Sequence, residues 1–534
     1  MDQYAIQIRE RLDRESKYRS DLFCRGYLIT DAKLDDTHGY PFYDAWQCAR
    51  VGGYTVFVHP EANYYRAEKE GSQALLIGHA YDPETGEIEE EKILEHVLVS
   101  AKNGKEELCT AVDSLTGVFV ILLVNGKQLW AVQDCGGQKM LYFGKVKDQI
   151  VLTSIPQLAG DVFDLQWDDN IKKLLQTKGY YRGSGFLPGN LSPYKEMTRL
   201  GANTALVYDG TSFCISRIYP RKERIECTAD AEKTAVIEEI YRIFSSNIDL
   251  AVKKWPRVGL SLTGGMDSKT TFACAKNHYN ELYCYSFQSK PSEKLDAEAA
   301  REICNAVGIK HHLYEIPEDP EQIPDYDFLH ALIEHNTSHL CKLHPNEIRK
   351  YIWLRSKNDF DIELKSDVSE VGRAYTSRKY YKVRLPRVLT PRHLTIGQGR
   401  YFIEPWAIRF ADRAYAAFMD TTGLKEDIMG YSMHDLAYWE VRTSAWAATS
   451  LASQEFIHEI TIPYNNRRLM DLFLRFPKED RERDLPHKML MKRGNPMVAE
   501  LDIAVKDSYF GKKRMILETA YYYFATQMNT QRAK

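Results

Sequence analysis

A short glycine-rich stretch in the middle of the chain constrains its fold and chemistry more than any other feature. Residues 257–262 are predicted to form a short buried strand, and the stretch from Lys269 onward opens a helix. Between them runs Thr-Gly-Gly-Met-Asp-Ser at 263–268. The two glycines let the backbone approach a ligand, and a helix N-terminus presents unpaired N–H groups and the positive end of its dipole. The stretch therefore predicts a site for an anion.

The same loop carries Asp267, whose carboxylate would repel the phosphates of a nucleotide. A divalent cation between them removes that repulsion, so we expect Mg²⁺ together with the phosphates. The Walker pattern, with its phosphate-binding lysine, is absent from this stretch. An ordinary strand–helix turn is the plainer explanation of a Gly-Gly pair alone, but the six-residue pattern after a strand is more specific.

The composition is that of a globular protein with room for two domains. The chain has 534 residues, of which 44% are hydrophobic and 27% charged, and its formal net charge is -3. Such a charge gives no global attraction to nucleic acid or to anionic membranes. No apolar run approaches membrane-spanning length, the N-terminus lacks a signal peptide, and the ten cysteines form no Cys-x-x-Cys pair. We therefore expect a cytoplasmic protein with reduced thiols and no membrane partner.

The loop at 263–268 resembles the S-G-G-x-D-S pyrophosphate loop of the ATP-pyrophosphatase superfamily, with threonine in place of the first serine. The flanking sequence is most similar to the asparagine synthetase family, whose relatives include β-lactam synthetases and lasso-peptide cyclases. In that family ATP is cleaved between the α and β phosphates to activate a carboxylate as an acyl-adenylate. The resemblance implies that ATP and pyrophosphate are bound by Ser261, Leu262, Thr263, Gly264, Gly265, Met266, Asp267, Ser268 and, at the adenine, Phe287.

Residues 1–220 are rich in short apolar runs separated by turn signals. Strands are predicted at 55–58, 74–77, 118–124, 129–133, 150–153, 204–208 and 213–218, with a hairpin at Asn125-Gly126. These runs indicate a sheet-rich α+β domain. Residues 134–142 resemble the R-D-x-x-G-x-K-P-L-Y stretch of the family's glutaminase-type domain. The resemblance therefore implies a hydrolase-like sandwich of the N-terminal nucleophile type.

Several departures from the family pattern predict that this domain is a degenerate glutaminase. Active members use a cysteine exposed at the mature N-terminus, whereas here no cysteine precedes Cys24. The family's Asn-Gly oxyanion element aligns with Ile77-Gly78, and an isoleucine side chain offers no hydrogen-bond donor. The stretches that hold glutamine are not recognisable. Proteolysis that exposes Cys24 is the less favoured alternative.

Residues 229–534 are predicted to form an α/β synthetase domain with a parallel sheet flanked by helices. A strand at 282–287, a helix at 296–307 and a strand at 310–314 alternate along the chain. In such sheets, ligands bind at the carboxyl ends of the strands.

A second stretch with acidic residues and a lysine near the C-terminus complete the predicted site. Residues 361–375 resemble the family's strand and G-E-G-S-D-E-x-x-x-G-Y loop in a shortened form. The resemblance implies that Asp367 and Glu370 supply a metal contact and a base, with their individual roles open. Asp267 and Glu370 are the predicted Mg²⁺ ligands. Lys506 falls near the family's catalytic lysine, which stabilises developing charge. An acidic surface loop is the alternative for 361–375.

Two further features receive plainer interpretations. Residues 371–400 contain eight Arg or Lys residues and no acid, which favours a solvated or mobile loop, with binding of an anionic substrate, a peptide or RNA as the alternative. His335 and His339 are spaced i, i+4, but no third metal ligand is placed, so a solvated helix face is expected.

These features together predict an ATP-dependent ligase that forms amides. It would adenylate the carboxylate of a small molecule or peptide, release pyrophosphate, and transfer the acyl group to an amine that its own glutaminase domain does not supply. The assembly state is left open, with a homodimer among the options. Two alternatives remain: a tRNA- or RNA-modifying adenylating enzyme that uses 371–400, and a non-catalytic nucleotide-binding protein.

Overall fold

The computed structural model describes residues 3–183, 185–340, 344–380, 385–398, 404–425, 427–503 and 512–527. It is a mixed α/β structure. Two six-stranded antiparallel sheets occupy the N-terminal part, and a five-stranded parallel sheet follows them. Within the described ranges, no helix is both long and apolar enough to cross a lipid bilayer.

The strands of the two N-terminal sheets lie between residues 27 and 217. They are β1 (Tyr27–Thr30), β2 (Gln47–Val51), β3 (Tyr54–Val58), β4 (Tyr64–Lys69), β5 (Ser72–Tyr81), β6 (Thr116–Asn125), β7 (Gln128–Gln133), β8 (Tyr142–Val146), β9 (Gln149–Thr153), β10 (Met197–Arg199), β11 (Thr204–Tyr208) and β12 (Phe213–Arg217). The first sheet has the order β10-β8-β9-β1-β3-β2, and the second β12-β11-β7-β6-β5-β4. The helices of this part are α1 (Gln3–Arg14), α2 (Glu90–Asn103), α3 (Lys105–Asp113), α4 (Pro156–Phe163), α5 (Asp169–Leu175) and α6 (Lys178–Gly183).

The two sheets pack face to face, as the apolar runs of the sequence indicate. Ile29 and Val56 of the first sheet share one buried cluster with Leu75 and Leu122 of the second. The outer face of the second sheet is covered by α2 and α3. The outer face of the first is covered by α1, α4 and a helix of the C-terminal part, Tyr326–Asn336. The predicted hairpin is present, with Gly126 at φ +61 between β6 and β7.

The C-terminal part alternates strands and helices. Its strands are β13 (Val258–Ser261), β14 (Leu282–Gln288), β15 (His312–Glu315), β16 (Ile362–Leu364) and β17 (Glu459–Thr461). Its helices are α7 (Asp230–Lys254), α8 (Met266–Cys274), α9 (Lys294–Ala306), α10 (Tyr326–Asn336), α11 (Pro345–Arg355), α12 (Tyr375–Lys379), α13 (Pro391–Gln398), α14 (Pro405–Thr422), α15 (Met433–Ala437), α16 (Ala448–Gln454), α17 (Arg467–Leu474), α18 (Lys478–Glu482), α19 (Leu485–Gly494), α20 (Pro496–Glu500) and α21 (Lys512–Gln527). A π-helix spans Tyr438–Ala447.

The order of the parallel sheet, β15-β14-β13-β16-β17, decides where the site can lie. The strand β13 is central, between β14 and β16. All strand pairs in this sheet are parallel, so the turns that follow β13 and β16 meet at the same carboxyl edge. The sequence-predicted glycine-rich loop and the acidic stretch are therefore neighbours.

The two parts of the chain share a core. Tyr81 and Val118 of the N-terminal part belong to the same buried cluster as Ile243 and Leu260. The amide of Asn465 donates to Asp134 Oδ1 at 2.9 Å and to Gly117 O at 2.6 Å. The predicted domain limits, 1–220 and 229–534, fall in the connection between β12 and α7 and stay predictions.

Two expectations about helices are wrong. The helix after the glycine-rich turn begins at Met266 rather than at Lys269, because Gly265 takes the extended backbone of an N-cap. The residue His335 is not on a solvated face: its side chain is 1% exposed, and Nε2 lies 2.8 Å from Asp161 Oδ2. The helix α10 ends at Asn336, so His339 lies beyond it.

Candidate active site

The strand β13 delivers the glycine-rich turn to the edge of the sheet in a fixed position. Its last residue is Ser261, and the next residue, Leu262, is completely buried. The Leu262 amide donates to Tyr285 O at 2.8 Å, and the Ser286 hydroxyl donates to Leu262 O at 2.6 Å. The turn therefore starts from an anchored point beside β14.

Hydroxyl groups at the two ends of the turn hold it closed. The Thr263 amide donates to Ser268 Oγ at 3.2 Å, and the two hydroxyl oxygens lie 3.0 Å apart. The Gly265 amide donates to Thr263 Oγ1 at 3.2 Å. Threonine and serine both carry a hydroxyl group that can make these hydrogen bonds. Thr263 can therefore close the turn in the same way as the serine of the superfamily pattern.

The turn leads into the first turn of α8, which gives a nine-residue helix with its N-terminus at the edge of the sheet. Met266 opens this helix and packs against the main core. Lys269 is directed away from the turn, and its Nζ donates to Leu501 O at 2.9 Å. The positive charge beside the turn therefore comes from the helix N-terminus and from other segments.

Asp267 lies in the first turn of α8 and is not a solvated loop acid. Its side chain is 24% exposed. Arg373 Nη1 donates to Oδ2 at 2.6 Å, and the Ser369 hydroxyl donates to Oδ1. His487 Nε2 lies 4.0 Å from the same carboxylate, and burial lowers the pKa of this histidine to about 4. A neutral imidazole and a guanidinium therefore face Asp267.

The acidic stretch after β16 reaches the same place. The Ser366 and Thr271 hydroxyl oxygens lie 2.7 Å apart and join it to α8. A 3₁₀ helix, Ser369–Arg373, carries Glu370, which is partly exposed. Burial, followed by the charges of Asp267 and Asp367, raises the pKa of Glu370 to about 8. Burial also raises the pKa of Asp367, despite the opposing charge of Lys365.

The structure thus places Asp267, Asp367 and Glu370 close enough for their charges to interact, and their metal-binding and catalytic roles stay predictions. Among the residues described, no group of three or more His, Cys, Asp or Glu side chains is arranged to hold a metal ion. Mg²⁺, however, needs only one or two carboxylates when phosphates and water complete its shell. Besides burial, the charge of Asp267 raises the pKa of both Asp367 and Glu370, and neighbouring acids of this kind form a donor set that fits such a cation.

Sequence reasoning missed two charged residues at this edge, Glu363 and Lys365. Glu363 is buried on β16, where Lys365 and His458 keep its pKa below the usual range although burial opposes this. Lys365 Nζ lies 3.8 Å from Glu363 Oε1, and burial competes with nearby carboxylates that raise the pKa of Lys365. Their position in and directly after a short buried strand is the one signal in the sequence that indicates them.

Phe287, the predicted adenine contact, lies next to the last residue of β14. Lys350 Nζ lies 4.0 Å from the centroid of its ring. Lys350 also forms an ion pair with Glu347. Lys506, the predicted catalytic lysine, falls outside the described residues.

Most of the basic stretch 371–400 is not a solvated loop where the structure describes it, although Arg387 is exposed in the loop before α13. Arg373 and Arg378 both bind Asp484, at 2.8 and 2.7 Å. Lys379 is 7% exposed and donates to Gly397 O at 2.9 Å, and Arg392 pairs with Asp412 at 2.7 Å. The acidic partners, Asp484 and Asp412, lie outside residues 371–400. The absence of acids within the stretch therefore does not mean that its basic side chains are unpaired. These pairings favour structural roles over an RNA-binding surface.

In the N-terminal part, the side chains at the predicted glutaminase positions are enclosed. Ile77 is fully buried between the two sheets, and Gly78 has φ +102. Cys24 is 7% exposed, and burial raises the pKa of its thiol to about 11. Such a thiol is almost entirely protonated at neutral pH, which makes it a poor nucleophile.

Comparison with known proteins gives short but specific matches around the turn. Residues 258–332 match the model of the family described as Queuosine biosynthesis protein QueC. The chain is 47% identical over 53 residues to the 7-cyano-7-deazaguanine synthase of Syntrophus aciditrophicus (strain SB), which covers 10% of this chain and 23% of that protein. It is 24% identical over 227 residues to asparagine synthetase (glutamine-hydrolyzing) 1 of Bacillus subtilis (strain 168), which covers 41% of this chain and 33% of that protein.

These matches support an ATP-pyrophosphatase-type segment around the turn, consistent with the predicted superfamily. The asparagine synthetase family and the degenerate glutaminase domain stay predictions. Among solved structures, a glutamine phosphoribosylpyrophosphate (PRPP) amidotransferase from B. subtilis complexed with ADP and GMP aligns with a TM-score of 0.22 and 10% identity, over 58% of this chain and 78% of that one. A likeness this distant carries no argument.

Proposed function

We propose that this protein is an ATP-dependent ligase that adenylates a substrate carboxylate, releases pyrophosphate, and passes the acyl group to an amine. One observation carries the proposal: the glycine-rich turn before α8 and the acidic stretch after β16 meet at one edge of the parallel sheet, with Asp267 between them. The matched relatives, a synthase and a synthetase, are ATP-utilising enzymes, which supports the use of ATP here.

The turn is suited to the pyrophosphate end of ATP. Its glycines leave space for phosphate oxygens, and the N-terminus of α8 adds N–H donors and the positive end of a helix dipole. Lys365 and Arg373 bring two permanent positive charges to the same edge. These positively charged groups and N–H donors are already positioned to stabilise the negative charge that develops on the departing pyrophosphate. Such preorganised stabilisation is usually the largest single contribution to catalysis.

The chemistry has two steps. An oxygen of the substrate carboxylate attacks the α-phosphorus, and the bond to the bridging oxygen breaks, so that pyrophosphate leaves with the electron pair. The nitrogen of the amine then attacks the acyl carbon, and the bond from that carbon to the AMP oxygen breaks. A carboxylate is a poor electrophile, and adenylation supplies the leaving group that the second step needs.

Side chains of the acidic cluster divide the remaining tasks. Asp267, together with Glu370 or Asp367, would hold Mg²⁺, which when bound supplies positive charge beside the phosphates. Glu370 has its pKa raised to about 8, near physiological pH, where a general base works best. If the metal rests on Asp367, Glu370 is the residue to take the proton that the attacking amine releases.

The amine comes from outside the N-terminal part. The enclosed Cys24 thiol and the donorless Ile77 side chain do not form a glutaminase site, so free ammonia or an amine on a substrate is the expected acceptor. The acid is a small molecule or a peptide. We place the reaction in the cytoplasm.

The test is exchange of labelled pyrophosphate into ATP, driven by a panel of carboxylic acids. Only reversible adenylation returns the label to ATP. We expect exchange that requires both an acid and Mg²⁺ and that is lost in Asp267→Asn. As a matched control, Asp420→Asn changes an exposed acid on α14 and should exchange at the wild-type rate. Binding of ATP without exchange for any acid would instead favour a non-catalytic nucleotide-binding protein.

A further inference from the structure

A pocket lined by aromatic rings lies beside the acidic stretch, and its lining residues have no role in the reaction proposed above. It is enclosed by α12, α13, the π-helix Tyr438–Ala447 and α21. Its empty space is ≈ 590 Å³, open solvent at its mouth included. The enclosed cavity itself has a volume of only ≈ 80 Å³, well below the roughly 300–1,000 Å³ of drug-sized sites, so it has room for a small group and not for a whole drug-sized ligand.

Four tyrosines contribute to its wall. The rings of Tyr375 and Tyr438 lie 4.8 Å apart, and those of Tyr380 and Tyr522 lie 4.6 Å apart. Leu394 adds an apolar side chain. Aromatic walls of this kind bind flat apolar groups through stacked and edge-on contacts.

The pocket lies beside the segment that carries Glu370. The 3₁₀ helix that carries Glu370 ends at Arg373, and Tyr375 opens α12 two residues later. The same 3₁₀ helix also packs against the π-helix, which carries Tyr438 on the opposite wall. A molecule in the pocket would therefore lie next to the segment that carries Glu370.

The charged side chains along this pocket are positive. Lys379 and Arg442 line it, together with two histidines, and no Asp or Glu is among its described lining residues. The Arg442 guanidinium lies over the rings of Trp446 and Tyr375, at 4.3 and 5.6 Å. Such a lining suits an apolar molecule that ends in a carboxylate.

The π-helix that forms one wall of the pocket is anchored to the N-terminal part by an ion pair. Tyr438, Val441 and Arg442 of this helix line the pocket. On another side of the same helix, Arg217 Nη1 donates to Glu440 Oε1 at 2.6 Å, which ties it to β12 of the N-terminal part. π-helical turns are rare in proteins, and those that occur are often found at functional sites.

We propose that this pocket binds the apolar end of the acid that is activated, so that the substrate is a carboxylic acid with an aromatic or similarly bulky apolar group. The inference rests on the proposed function, since it places the acid's carboxylate at the edge that carries Glu370. A small polar acid such as aspartate would leave the tyrosine wall without a contact. The N-terminal part thereby acts as the support of a substrate wall.

Gly397 offers a way to fill the pocket without touching the predicted catalytic groups. It lies on α13 at the pocket wall, and the nearest atom to an added Cβ would be Tyr380 Oη at 3.9 Å. Gly397→Ala narrows the pocket slightly, and Gly397→Leu fills much of it. Gly53→Leu is the matched control, because Gly53 is exposed on the β2–β3 turn with nothing within 4 Å of an added Cβ.

Two assays on the full chain separate the pocket from the reaction. Calorimetry with Mg²⁺ and a non-hydrolysable ATP analogue measures binding of 3-phenylpropionate, indole-3-propionate and L-aspartate. Pyrophosphate–ATP exchange uses the same acids. We expect the aromatic acids to bind wild type and Gly53→Leu alike, with affinity at least tenfold weaker in Gly397→Leu and intermediate in Gly397→Ala. If the melting temperature of Gly397→Leu is well below that of wild type, the affinity of Gly397→Ala for the aromatic acids is the deciding measurement.

The pocket assignment is overturned if wild type binds neither aromatic acid, or if the Gly397 variants bind them as wild type does. Exchange that aspartate supports and Gly397→Leu leaves unchanged would also overturn it while keeping the proposed function. Binding of aromatic acids that Gly397→Leu abolishes, without exchange for any acid, would keep the pocket and defeat the proposed function.

Discussion

Replacement of Glu370 by glutamine should stabilise the protein, and only at neutral and alkaline pH. The pKa of Glu370 rises from 4.5 to about 8 on folding, because of burial and then the charges of Asp267 and Asp367. At about 1.4 kcal/mol per pKa unit, this corresponds to roughly 5 kcal/mol. Water reaches the partly exposed carboxyl and screens it, so about 2 kcal/mol is the expected effect.

The sign follows from proton binding. Between about pH 4.5 and pH 8 the unfolded chain has released the Glu370 proton while the folded chain keeps it, so the free energy of unfolding falls as pH rises. Glutamine has no proton to lose. Glu370→Gln and wild type should therefore be equally stable at pH 4.5, and the variant should be more stable by about 2 kcal/mol at pH 9.

Urea unfolding of both proteins at pH 4.5, 7 and 9, without nucleotide or Mg²⁺, measures this difference. Glu95→Gln is the control, because Glu95 is exposed on α2 and should shift stability equally at every pH. A Glu370→Gln variant that is less stable than wild type at pH 9, or whose advantage does not depend on pH, would refute the carboxylate cluster.

Three further predictions concern individual side chains. Asp267→Asn should abolish acid-dependent pyrophosphate exchange and, because it weakens an ion pair with an arginine, cost roughly 1–3 kcal/mol in urea unfolding; wild-type exchange would contradict the metal assignment. Lys365→Met should slow exchange roughly a hundredfold, whereas Lys276→Met, at an exposed position, should not; equal rates in both would remove Lys365 from the site. The purified chain should release no glutamate from glutamine, and release that disappears in Cys24→Ser would show that the buried thiol becomes a nucleophile.

Local sequence patterns predicted much of the fold. The apolar run at 204–208 coincides with β11, and the turn at Asn125-Gly126 joins β6 to β7. Alternation of strands and helices after 257 correctly indicated a parallel sheet, and that sheet brings Asp267 close to Glu370. These features depend on neighbours in sequence or on a general rule of sheet topology, so one sequence is enough to find them.

Pairings across long separations in sequence were not predictable in the same way. Arg373 meets Asp267 across 106 residues and Asp484 across 111, so composition alone made 371–400 resemble a free basic loop. His335 lies 174 residues from Asp161, and its burial comes from contact with the N-terminal part. The π-helix Tyr438–Ala447 is likewise joined to a residue distant in sequence, since Glu440 pairs with Arg217 of the N-terminal part.

The fate of isotopic oxygen tests the central claim most directly. An acid that supports exchange is prepared with ¹⁸O in its carboxylate and incubated with ATP, Mg²⁺ and an amine, and the nucleotide product is analysed by mass spectrometry. Attack of the carboxylate on the α-phosphorus followed by amide formation leaves one ¹⁸O in AMP, with pyrophosphate as the other product. Formation of ADP and phosphate, or of AMP that carries no ¹⁸O, would contradict acyl-adenylate chemistry at this site.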